Sequence, residues 1–264
     1  MKDIFDIRRF GKYLAYDVAN AWRSFGTSAI VMAFMPVFIF ILTFIFKMII
    51  GGSSYRPVEV GNGLKTIECL ALGAMVILSF PVKVYGNLTD RRLGSDWTLV
   101  PASAFEKTLS IVLVAGVLVP VVVTAVFLGC DSLLSAVSSL NGTPIIQGTG
   151  NVHVMQVNGN DYQVAGIFYF VNLMLTMVLG SMYFKKAKAA KTLVCEFMVK
   201  SALLMLAVIV ITHGHTSINL DEFFENMTAE DAKRYITIAV WSFQSVIAII
   251  VLTLLYLRVK TIKH

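Results

Sequence analysis

Six stretches of this chain, at about residues 27–50, 65–85, 107–130, 163–184, 192–212 and 235–257, are apolar for roughly the 20 residues a helix needs to cross a hydrocarbon core. Lipid offers no hydrogen bonds to the backbone, so each stretch is restricted to a helix. Composition agrees: 57% of the 264 residues are hydrophobic and 14% charged, against about 25% charged in soluble domains. The longest remaining segment, 131–162, is shorter than the roughly 50 residues of a small domain. A separate soluble catalytic domain is therefore not expected.

Charge predicts the orientation. Sixteen of the 22 Lys and Arg fall before the first stretch, between the second and third, between the fourth and fifth, or after the sixth, counting Lys83 and Lys107 at the stretch ends that border those segments. Only Lys47, Arg56, Lys65, Lys233 and Arg234 fall in the alternate connections or at the stretch ends bordering them, and Lys200 lies within a stretch. Short basic loops stay cytoplasmic, which places both termini inside. The net charge of +6 then reflects topology and implies no nucleic-acid partner; the partner is the lipid bilayer.

Ahead of the first stretch, Ile7, Phe10, Leu14, Val18, Ala21 and Phe25 share one face at 100° per residue, opposite Arg9, Lys12, Tyr16, Asn20 and Arg23. This pattern predicts an amphipathic helix lying in the headgroup layer. The expected fold is all-α: an interfacial helix within 1–26, then a six-helix transmembrane domain over 27–264, with both termini cytoplasmic. Pro36 and Pro120 are expected to bend two of the spans. Gly73, Ala74, Ala115, Gly116, Gly180 and Ser181 are expected at close helix contacts.

Outside the membrane, alternation around Asn158-Gly159 suggests a hairpin in 131–162, and 221–233 reads as a short amphipathic helix. Cys69, Cys130 and Cys195 lack metal spacing and are expected to be free thiols, although Cys69 and Cys130 fall near one face.

Enzyme classes find little support. There is no GxxxxGK[ST] loop, and Ser181 and His213 fall at opposite depths. His213-x-His215 with Asp221 lacks a convincing third ligand, so no metal is expected. Within the spans, Glu196 and Lys200 stand four apart and can pair, while Asn172 and Gln244 suit helix-helix hydrogen bonds.

The most informative segment joins the second and third stretches. It contains Asp90-Arg91-Arg92, Gly94-Ser95, Trp97, Leu99 and Pro101, then Ser103-x-x-Glu106-Lys107 before an apolar run. Ser103 and Glu106 predict a capping box, hence a short elbow rigidly joined to the third span.

In this order of residues the segment resembles that of the ABC-2 type transporter permeases. There the acidic and basic cluster, Gly-Ser/Thr, Leu, Pro, Ser and Lys occupy the positions of Asp90, Arg91, Arg92, Gly94, Ser95, Leu99, Pro101, Ser103 and Lys107. The resemblance implies a coupling loop at Asp90, Arg91, Arg92, Gly94, Trp97, Leu99 and Pro101, gripped by an ATP-binding cassette ATPase. It further implies a permease dimer, formed with a second copy or a sibling chain, exporting substrate across a bacterial plasma membrane. This chain would carry no cofactor, with ATP and Mg in the partner. The alternative from the residues alone is a stand-alone membrane protein that senses or scaffolds.

Overall fold

The computed structural model describes residues 5–50, 62–88, 97, 99–137, 161–214 and 229–262. Among these the chain is all-helical. The helices are α1 (Ile7–Ala33), α2 (Met35–Ile50), α3 (Asn62–Val84), α4 (Ala104–Leu113), a π-helical turn (Val114–Leu118), α5 (Val119–Val137), α6 (Asp161–Tyr183), α7 (Lys188–Gly214) and α8 (Ala229–Thr261). Among the described residues, four stretches are long and apolar enough to cross a bilayer: Ile7–Ile45, Ile67–Val84, Ala104–Val137 and Val240–Thr261. A shorter apolar helix is Ile167–Tyr183. These lengths make the chain an integral membrane protein.

The core lies where α3, α4, the π turn, α5, α6 and α8 meet. Phe80, Ile111, Val114, Phe127, Met174, Val178, Met182 and Leu255 are fully buried there. In lipid such association depends on close packing and interhelical hydrogen bonds rather than on expelling water. Gly180 lies against the Thr192 side chain, so that a Cβ at 180 would collide with it, and α6 and α7 approach closely at this point. Gly116 faces Val171 less closely, a Cβ there meeting it at 3.3 Å, whereas Ala74 is exposed. Asn172 donates to the Gln244 side-chain oxygen at 3.3 Å and to its backbone carbonyl at 3.2 Å, joining α6 to α8 across 72 residues. Asn172→Leu is expected to cost about 1 kcal/mol, measured by thermal unfolding in detergent; Gln244→Leu should add little once Asn172 is gone.

Both expected prolines stand beside an irregularity of their helix. α1 continues past the anticipated end of the lead and turns at Phe34, whose N–H bonds Ile30 O at 3.0 Å. Pro36 then sits in the first turn of α2, just past the break and within the apolar stretch Ile7–Ile45. There its missing N–H would be unpaired in any case, while its ring disfavours helix in the residue before it. Pro120 follows the π turn, where Val119 N–H reaches back to Val114 O and widens the helix by one residue. This absorbs the bond that proline cannot make. Pro81, inside α3, is a third site of this kind.

Boundaries also shift. Residues Asp131 to Val137 continue α5 instead of opening a loop, and Asp161 already belongs to α6. The expected hairpin at 158–159 lies outside the described residues. So does 221–228 of the expected amphipathic helix, while Lys233 and Arg234 stand in α8. Cys69, Cys130 and Cys195 are free thiols.

At the start of α3, Lys65 pairs with Asp131 of α5 at 2.9 Å, both side chains 2% exposed. Lys65 also reaches Ser135 Oγ at 3.4 Å, and Glu68 is buried beside the pair. Apolar periodicity gives no signal of this ion pair. The Glu196 and Lys200 side chains do meet on α7, and Lys200 stands 4.4 Å from the Tyr169 ring centroid. Tyr169 thus adds a face of α6 to the intrahelical pair.

Candidate functional site

The elbow is built from the head of α4 outward. Ser103, in extended conformation at φ −68° and ψ 157°, accepts from Glu106 N–H at 3.2 Å through its hydroxyl. Glu106 accepts from Ser103 N–H at 2.8 Å, completing the capping box. Two free amides of the helix start are thereby satisfied.

Glu106 is fully buried and has more to hold. Arg9 donates to it from Nε at 2.9 Å and from Nη2 at 2.7 Å, a fork-to-fork geometry. Asp6 N–H adds a bond of 3.0 Å. Asp6 in turn caps α1 by accepting from Arg8 N–H. One carboxylate therefore ties the first turn of α1 to the first turn of α4.

The next residue pins the other limb. Lys107 donates to the Trp97 carbonyl at 2.8 Å, with its ammonium 4.3 Å from the Trp97 ring centroid. Trp97 is 5% exposed and Leu99 78%. Of these two residues of the expected coupling loop, the tryptophan is turned into the protein and holds the elbow, and the leucine faces outward. Pro101 is exposed. Asp90, Arg91, Arg92 and Gly94 lie outside the described residues.

A second tie forms one to two turns further along. Asp17 of α1 is buried and accepts from Ser110 of α4 at 2.7 Å and from Tyr85, just past α3, at 3.2 Å. Phe25 meets Phe80 edge-on at 5.2 Å, and Lys83 donates to Ser28. From Arg9 to Ser28, α1 covers about 28 Å at 1.5 Å per residue. Its partners on α4, Glu106 and Ser110, are about 6 Å apart, and those around the end of α3 span only residues 80–85. α1 packs against the end of α3 and against α4, and continues onto the π turn and α5.

The same end gathers the end of α6, the head of α7 and the end of α8. Lys188 donates to Gly86 O, and Arg258 to Met182 O at 3.0 Å while lying over the Tyr183 ring. Sequence periodicity identifies α1 as amphipathic, and of the expected apolar face Ala21 and Phe25 are buried while Leu14 and Val18 pack at the edge of the core. Ile7 is instead 73% exposed, and Tyr13 and Asp17, which the apolar face did not include, are buried with Ala21 and Phe25. The available signal was a lone carboxylate one turn from Tyr13 and Ala21, on the side of the helix that carries the aromatics.

Among the described residues no group of His, Cys, Asp and Glu is placed to hold a metal. Comparison with known proteins returns no relative: no protein-family model, curated protein or solved structure matches this chain.

Proposed function

We propose that the chain is the membrane-spanning permease subunit of an ATP-driven exporter of the ABC-2 type, working as a dimer in a plasma membrane. In this reading the bundle has six spans with both termini cytoplasmic, and the end that carries the elbow faces the cytoplasm. Separate ATP-binding cassette subunits bring ATP and Mg and grip the loop through Leu99, Pro101 and the adjoining 90–94 cluster.

The observation that carries the reading is the double attachment of the elbow. A push on Leu99 and Pro101 would pass through the capping box into α4 and, through Glu106 and Arg9, into α1. Two places allow the push to become motion: the turn at Phe34, which separates α1 from α2, and the π turn between α4 and α5. Wide helical turns of this kind are frequent at functional sites. A loop that only connected two spans would not need its base bound to a third helix by a buried forked ion pair.

Leu99→Asp tests the reading cleanly, because Leu99 is exposed and its replacement leaves the clasp untouched. With its ATPase, the wild-type chain is expected to stimulate ATP turnover; the variant should lose at least about tenfold of that stimulation with unchanged membrane insertion. Equal stimulation by both chains would remove the loop from the coupling path. If no ATPase accompanies the solubilised wild-type chain, the stand-alone reading replaces this one.

A further inference from the structure

We infer that the groove between the end of α3 and the turn leading into α7 is a binding site for the phosphate headgroup of an anionic phospholipid. The groove, about 470 Å³ in volume, is lined by Leu78, Val82, Lys83, Asn87, Lys185 and Lys188 among others. Leu78 and Val82 belong to the apolar length of α3 that continues away from this end, so the groove has an apolar wall on its membrane side and an ammonium rim. That pairing of surfaces matches one end of a lipid: acyl chain along α3, phosphate at the rim.

Among the described residues, the charge at the rim has no acidic partner. Among the described residues, the ion pairs are Arg9 with Glu106, Lys65 with Asp131 and Lys200 with Glu196, and none involves Lys83, Lys185 or Lys188. Lys83 donates to the Ser28 hydroxyl and Lys188 to the Gly86 carbonyl. Both partners are neutral, and an ammonium has three donors. Each lysine therefore keeps its full charge and at least two donors, held in place by its one protein bond. Lys185 is exposed beside them. Three lysines lining one groove with no carboxylate among its lining residues call for an anion. A basic pocket between transmembrane helices is a recognised form of headgroup site.

A free phosphate or a soluble anion shares the charge but not the apolar wall, and the groove's position at the mouth of a membrane helix favours the lipid. The inference does not rest on the exporter reading, since it needs only that the helices lie in a bilayer.

The test uses the full-length chain, purified in detergent and stripped of lipid. Phosphatidylglycerol added in mixed micelles should raise the thermal unfolding midpoint at concentrations where phosphatidylcholine does not. The apparent affinity should weaken with ionic strength, as attraction at an exposed rim does. Lys185→Gln combined with Lys188→Gln should weaken phosphatidylglycerol binding by about tenfold or more. Lys185→Arg with Lys188→Arg should retain it, and Lys260→Gln, which removes a charge of α8, should not alter it. If the Gln pair unfolds, Lys185→Gln alone is read, because that side chain is exposed; a loss of severalfold is expected. Equal stabilisation by phosphatidylcholine, equal stabilisation by inorganic phosphate, or undiminished phosphatidylglycerol binding by the Gln variants would each overturn the assignment.

Discussion

Lys65→Met is expected to destabilise the protein by about 3–5 kcal/mol. Removing one member of a buried ion pair leaves the other charge without its counterion. Here Asp131 would remain, 2% exposed, with Glu68 buried beside it, so two acidic groups would face each other without the lysine. Replacing both partners is expected to behave differently. Lys65→Met with Asp131→Leu removes both charges and should return most of the loss, because buried pairs and well-packed apolar replacements are often nearly equal in stability. Thermal unfolding of the two single variants and the double variant in detergent gives the coupling energy directly. If the single and double variants lose the same amount, the pair is not what joins α3 to α5 here.

Glu106→Ala is expected to cost about 2–4 kcal/mol and to loosen the elbow. The loss has two parts. The capping contribution is about 1 kcal/mol. The charged hydrogen bonds from Arg9 add about 1.5–3 kcal/mol, the lower part of that range being appropriate because Arg9 is 31% exposed. Glu106→Gln separates them, since glutamine can still close a capping box but cannot pair with a guanidinium. It should therefore retain the helix start and lose the attachment to α1. In the presence of an ATPase, Glu106→Gln should bind the partner as wild type does and transmit less of its work, so binding and stimulated turnover should separate. A Gln variant with full turnover would show that the link to α1 is not needed for coupling.

The helices were legible because the bilayer sets their length. The apolar stretches anticipated at 65–85, 163–184 and 192–212 correspond to α3, α6 and α7 within four residues at each boundary. The capping box was legible because its chemistry is local, a hydroxyl and a carboxylate three positions apart. Contacts between distant residues were harder. Asn172 and Gln244 could be assigned to interhelical hydrogen bonds because a lone amide in lipid needs a partner, but nothing in their positions says that they bond each other. Arg9 and Lys65 were read by the side of the membrane they mark, and that reading says nothing of Glu106 or Asp131. Both basic residues are held by carboxylates far along the chain, and the periodicity of one helix carries no information about another. Trp97 shows the same limit: apolar character in a loop fits docking and burial equally, and only the position of Lys107 decides between them.

The central claim is that the elbow receives work from an ATPase that this polypeptide lacks. A photoreactive amino acid placed at position 99 and activated in intact cells tests it most directly, because Leu99 points outward and its replacement disturbs no structural contact. The account predicts a crosslink to a cytoplasmic chain that binds ATP. A crosslink only to proteins on the opposite side of the membrane, or none to any nucleotide-binding chain, would contradict it.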